Sequence, residues 1–151
     1  MKNYAAHAAE LFESGYNCAQ AVAVAFCDVT GLDEKAAAAM ASSFGGGMGR
    51  MREVCGAVSG MLLIAGILYG YDTPGDDSVK ATHYQLVQQM ADQFRQEAGS
   101  IICRDILKNP PSDPKPTKRS AEFYQMRPCT KMVYLAAEIL SQIISDRSKN
   151  N

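Results

Sequence analysis

Alanine constrains this chain more than any other residue: there are 21 alanines against 16 valines and isoleucines together. Alanine is the strongest helix former, whereas β-branched residues favour strands. The bias points to an all-α protein. At 151 residues the chain has the length of one ordinary domain with a sizeable core. No linker and no internal repeat divides it. The expectation is a single-domain helical bundle over residues 1–151, with about six to seven helices.

Caps and glycine stops set the boundaries. Helices are expected at about Tyr4–Glu13, Cys18–Val29 behind an Asn17 cap, Asp33–Ser43, Val54–Tyr69, Ser78–Ala98, and Ile101–Lys108 behind Ser100. Asn109–Thr117 carries Pro110, Pro111, Pro114 and Pro116 and reads as an extended loop. A helical turn near Ala121–Gln125 precedes Pro128, which opens the last helix. That helix places Met132, Val133, Ala136, Leu140, Ile143 and Ile144 on one stripe.

A net charge of -1 and a pI near 6.1 argue against a nucleic-acid binder. The longest apolar run, Met61–Ala65 with Ile67–Tyr69, is broken by Gly66 and is too short for a membrane span. Met1–Glu10 has no apolar stretch of the signal-peptide kind, so the expected location is cytoplasmic. In a reducing compartment, five cysteines serve metal binding or redox work more often than a disulfide frame. None of their spacings is Cys-x-x-Cys.

Cysteine placement is the functional signal. Cys18 follows the Asn17 cap, Cys55 opens the helix after a glycine loop, Cys103 lies in the first turn after Ser100, and Cys129 follows Pro128. Cys27 falls near the end of its helix. Free N–H groups and the dipole at a helix start favour a thiolate, a known route to a reactive cysteine. On a helical wheel Cys18 lies with Ala21, Val22 and Ala25, Cys55 with Ser59, Leu62 and Gly66, and Cys129 with the apolar stripe. Cys27 points away from that side. Cys55 is expected to be the most acidic thiol, because Arg50, Arg52 and the glycine loop precede it. The competing reading is that free cysteine is a small hydrophobe, often buried and inert.

Gly45-Gly46-Gly47-Met48-Gly49-Arg50 is a second signal. Such a loop before a helix presents backbone N–H groups to an anion. Gly45, Gly46, Gly47, Gly49 and Arg50 are thus candidate anion or cofactor residues. The equal alternative is a tight bend beneath another helix. No strand precedes the loop, so neither a P-loop nor a dinucleotide fingerprint is supported. Gly56-Ala57-Val58-Ser59-Gly60 suits close helix packing. His7 and His83 adjoin no cysteine, and Asp72, Asp76 and Asp77 form an acidic loop of the kind that usually faces water.

Tyr16-Asn17-Cys18-Ala19-Gln20-Ala21, the glycine loop from Phe44, Cys55-Gly56-Ala57-Val58-Ser59-Gly60, Cys103-Arg104 and Cys129 together resemble the C_GCAxxG_C_C family of redox-active proteins. The resemblance runs from about Tyr16 to Leu140. The family label writes its hexapeptide GCAxxG, where this chain reads CGAxxG. By position, the resemblance assigns the family's four cysteines to Cys18, Cys55, Cys103 and Cys129 and leaves Cys27 out. It implies a small helical protein with a redox role and names no substrate.

Three functions stay open. In the first, these four cysteines are catalytic and cycle between thiol and disulfide with an unidentified redox partner. In the second, the same four are metal ligands for Zn or an iron–sulfur cluster that transfers electrons. Their separations of 37, 48 and 26 residues match no compact ligand motif. In the third, the chain is a helical interaction module with inert thiols. Four cysteines allow three pairings, and spacing does not choose among them. A leftover apolar face would be covered by a homodimer.

Overall fold

The alanine bias resolves into one small-residue helix that other helices surround. The computed structural model describes residues 2–151. Among these, the right-handed α-helices are α1 (Tyr4–Glu13), α2 (Cys18–Ala25), α3 (Cys27–Thr30), α4 (Glu34–Ala41), α5 (Gly56–Tyr69), α6 (Asp77–Ala98), α7 (Cys103–Ile106), α8 (Ala121–Met126) and α9 (Cys129–Lys149). A 3-10 turn at Ser42–Phe44 and a tight turn at Gly45–Met48 lead out of α4. No strand forms among the described residues, and the fold is all-α.

Helix α2 is the centre. Its Ala19, Ala21, Val22, Ala23, Val24 and Ala25 are buried, and α1, α4, α5 and α9 pack around it. Short side chains let four neighbours approach one axis. Gly60 of α5 shows how close: a Cβ there would stand 2.6 Å from the Ala19 carbonyl oxygen and 3.1 Å from Val22 Cβ. The α9 stripe buries Val133, Ala136, Leu140 and Ile143 as its period requires. Long α6 contributes Leu86, Met90 and Phe94 to the core. Asp76, from the acidic loop, caps α6 by accepting from the Ser78 and Val79 amides.

The helices outnumber the expected six to seven because single turns stand alone. The expected helix Cys18–Val29 breaks at Phe26 (φ -105°, ψ 15°), where the ring stacks on Tyr4 at 4.6 Å between centroids. Cys27 then starts a new turn. Val54 is not helical: it pairs with Ile102 in an antiparallel bridge, which shortens both flanking helices. Among the described residues no helix is long and apolar enough to cross a membrane.

Candidate functional site

The first residues of α2, α7 and α9, with the residue just before α5, meet at one cavity of about 280 Å³. Cys18, Cys55, Cys103 and Cys129 all line it, and Cys27 does not. All five cysteines are free thiols. The volume sits near the lower end of small-molecule sites, roughly 300–1,000 Å³.

Local structure explains each placement. Asn17 and Gln20 form a reciprocal cap, with the Gln20 amide donating to Asn17 Oδ1 at 2.8 Å and the Asn17 amide donating to Gln20 Oε1 at 3.0 Å. That fixes the entry angle of Cys18, whose sulfur rests against Gly56, where a Cβ would collide with it. Cys55 and Cys103 are held by two chain segments paired side by side. The Cys55 amide donates to the Ile101 carbonyl at 2.7 Å, and the Cys103 amide donates to the Glu53 carbonyl at 2.6 Å. No alternating pattern in the sequence announces this pairing. Cys129 enters behind Pro128, as its position after that proline implies.

The glycine loop turns the wrong way for an L-amino-acid helix. Gly46 (φ 68°), Gly47 (71°), Met48 (67°), Gly49 (61°) and Arg50 (69°) are successive left-handed residues, and Arg52 (63°) is another. Each non-glycine residue in that region costs about 1–2 kcal/mol. Glycine is required at 47, where a Cβ would also stand 2.7 Å from Cys103 Cβ. Gly45, Gly46, Gly49 and Arg50 line the cavity, while Gly47 lies behind it. The Gly45, Gly46 and Gly47 carbonyls accept from the Arg50, Arg52 and Glu53 amides, and the Gly49 amide donates to the Gly45 carbonyl. The Gly46 amide pulls the Cys18 thiol down, against the larger effect of burial.

The turn sends two arginines under the proline loop. Arg50 Nε donates to the Asp113 carbonyl at 2.8 Å, and its Nη1 donates to Thr117 Oγ1 at 2.8 Å. Arg52 Nε donates to the Pro111 carbonyl at 2.9 Å. These bonds fasten residues 109–117 beside the cavity, where Pro114, Pro116 and Thr117 join its wall.

Electrostatics overturn the expectation for Cys55. Burial pushes its thiol well above the ordinary range, although the Ala57 and Val58 amides pull the other way. Burial likewise raises Cys18 against the Gly46 amide, and raises Cys129 to about 12. Cys18 and Cys129 keep part of each residue open while their sulfurs are enclosed. A helix terminus supplies typically 0.3–1 kcal/mol, whereas full burial moves a pKa by as much as about 3–5, so burial wins. Cys27 also begins a helix, contrary to its expected place near a helix end, so the helix-start criterion does not separate it from the others. Its surroundings do: burial raises its thiol, and the charges of Glu34, Asp33 and Asp28 raise it further.

The arginine expected to activate Cys55 serves a different thiol. Arg52 Nη1 donates to Cys103 Sγ at 3.8 Å, with Arg52 3% and Cys103 6% exposed. Chain adjacency suggested Cys55, but the Val54–Ile102 bridge sets Arg52 against the neighbouring segment instead. The four thiols also sense one another. Charge on Cys103 acts on Cys18 and Cys129, and charge on Cys18 acts on Cys55 and Cys129. Among the described residues no three His, Cys, Asp or Glu side chains form a group that could hold a metal ion.

A family model described as "Putative redox-active protein (C_GCAxxG_C_C)" matches residues 16–143. No curated protein and no solved structure matches the chain.

Proposed function

Because the chain belongs to the C_GCAxxG_C_C family, we propose that it exchanges thiols for disulfides, with Cys103 as the attacking sulfur. The observation that carries this reading is the shared cavity: four thiols, far apart in sequence, line it together. Cys103 is also the one of the four with a guanidinium as hydrogen-bond partner. A guanidinium that donates to this sulfur holds it in place for attack.

The reaction balances as a two-electron exchange. The Cys103 thiol releases its proton to water, and the thiolate attacks one sulfur of a substrate disulfide. The substrate S–S bond breaks, and the leaving thiolate takes up a proton. A mixed disulfide to Cys103 results. Cys18, which shares the wall with Cys103 and senses its charge, then loses its own proton and attacks the Cys103 sulfur. The second substrate thiol leaves, protonated in turn. The substrate gains two electrons and two protons, and the protein keeps a Cys103–Cys18 disulfide. Cys55 and Cys129 line the same cavity as Cys18 and would accept the disulfide by internal exchange.

A thiol titration of protein purified without oxygen tests the proposal. Five free thiols should be found, two should disappear per disulfide formed on mild oxidation, and Cys103→Ser should abolish the loss. Stoichiometric iron or zinc, lost in the same variant, would move the cysteines to a ligand role. Oxidation that leaves all five thiols intact would make the cavity an inert part of an interaction module.

A further inference from the structure

The cavity wall carries four arginines, Arg50, Arg52, Arg119 and Arg127, and no aspartate or glutamate. This concentration of one sign occurs in a chain whose net charge is -1. Arg50 has one carboxylate, Asp113, at 3.8 Å, and Asp113 is not on the wall. Arg119 is spent on structure: it donates to the Phe12 and Tyr16 carbonyls and stacks on Phe12 at 4.3 Å. Arg52 and Arg127 have no carboxylate partner among the described residues.

Arg52 is the sharpest case. Its Nε holds Pro111 and its Nη1 holds Cys103, but its buried Nη2 has no hydrogen-bond partner. A buried, unpaired guanidinium donor is costly unless something else satisfies it. Ionising Cys103 would serve only Nη1. Arg127 has a single long bond to Thr117 Oγ1 at 3.4 Å and otherwise lies over the Phe123 ring. Burial, together with the nearby charges of Arg52 and Arg50, lowers its proton affinity. Both groups are short of negative charge, and both residues line the cavity beside the thiols.

We propose that the cavity is an anion site, in which Arg52 and Arg127 receive a carboxylate or phosphate of a low-molecular-weight disulfide and so deliver its sulfur to Cys103. The proposal rests on the thiol-exchange reading for the sulfur chemistry. The guanidinium forks of Arg52 and Arg127 hold the anion. The cavity volume of about 280 Å³ restricts the occupant to a small molecule or the tip of a chain.

Three disulfide probes test the charge preference: dianionic dithiobis(nitrobenzoate), neutral dithiodipyridine and cationic cystamine. Each rate is divided by that probe's rate with 2-mercaptoethanol to remove intrinsic reactivity. The normalised rate should favour the dianion over the cation by at least about tenfold at low salt and shrink as salt rises. Arg127→Gln should erase most of the preference while dithiodipyridine still reacts; Arg52→Gln should erase it too, while slowing all three probes through Cys103. Should Arg52→Gln fail to fold, Arg127→Gln decides alone. Equal normalised rates for the three probes would overturn the anion site and leave thiol exchange standing. If no probe reacts, thiol exchange fails, and the anion site is read by melting temperature in inorganic phosphate against sodium chloride of equal ionic strength. A phosphate-specific rise lost in Arg127→Gln sustains the site; no rise overturns it.

Discussion

The Cys18 sulfur lies in van der Waals contact with Gly56, so a residue of α2 and a residue of α5 share a space that fits a hydrogen and not a methyl. A Cβ at Gly56 would also stand 2.7 Å from the Phe44 carbonyl oxygen and 3.3 Å from the Ala19 amide nitrogen. Backbone on two sides cannot yield as a side-chain tip can.

Gly56→Ala should therefore cost stability despite alanine's better helix propensity. Overpacking costs about 1–3 kcal/mol, against a propensity gain of about 1 kcal/mol. The same helix supplies its own control, since a Cβ at Gly66 meets nothing within 4 Å. Urea melts should show Gly66→Ala stabilised and Gly56→Ala destabilised, with opposite signs for one chemical change. Matching signs would mean that the Cys18 contact does not limit the site.

Arg52 should control Cys103 selectively. Removing the guanidinium in Arg52→Met takes away the hydrogen bond at 3.8 Å. Cys103 alkylation by iodoacetamide at neutral pH should slow about tenfold, with Cys27 unchanged. Arg52→Lys should fall between, because an ammonium lacks the fork that reaches Pro111 and Cys103 together. Peptide mapping resolves the five rates. A parallel change at Cys27 would mark general unfolding and remove the specific role.

How far the sequence carries is clear from particular residues. Helix α1 lies at its expected bounds, because its cap and apolar period act locally. The α9 stripe faces the core for the same reason. The Val54–Ile102 bridge is illegible, since it joins two short segments 48 residues apart with no alternation to mark them. With it goes the partner of Arg52. Thiol acidity escapes the sequence for a related reason: helix polarity is written there, while depth of burial comes from long-range packing. The left-handed run through Met48, Arg50 and Arg52 is hidden too, because only glycine advertises such a backbone.

Alkaline pH should expose the buried thiols. Burial raises Cys129 from an ordinary 9.0 to about 12 in the folded protein. Below pH 9 the thiol is protonated whether the chain is folded or unfolded, so it adds no pH dependence. Above it, the unfolded thiol ionises while the folded one does not, and stability falls until about pH 12. Within that window one such thiol lowers stability by about 1.4 kcal/mol for each step of one in pH. Cys18 and Cys55 are raised in the same direction and steepen the fall. Urea melts from pH 8 to 11 should give a shallower decline for Cys129→Ala than for the parent. Identical slopes would remove the buried thiol as the cause.

Arg50 tests whether the proline loop gates the cavity. The residue is held at φ 69° by its place in the left-handed turn, and its guanidinium grips the Asp113 carbonyl and Thr117. Arg50→Gly separates these two properties. Glycine adopts that backbone without penalty, relieving about 1–2 kcal/mol of strain. Losing two hydrogen bonds costs about 0.5–1.5 kcal/mol each, so global stability should move little. The loop, however, should come loose. Trypsin should then cut faster after Lys108 and Lys118, the lysines that flank residues 109–117, while Lys115 stays protected by Pro116. Cavity thiols should react faster with a bulky maleimide than in the parent, and Thr117→Val should give a weaker version of both effects. Unchanged proteolysis together with unchanged maleimide rates would show that Arg50 does not hold the loop and that entry to the cavity lies elsewhere.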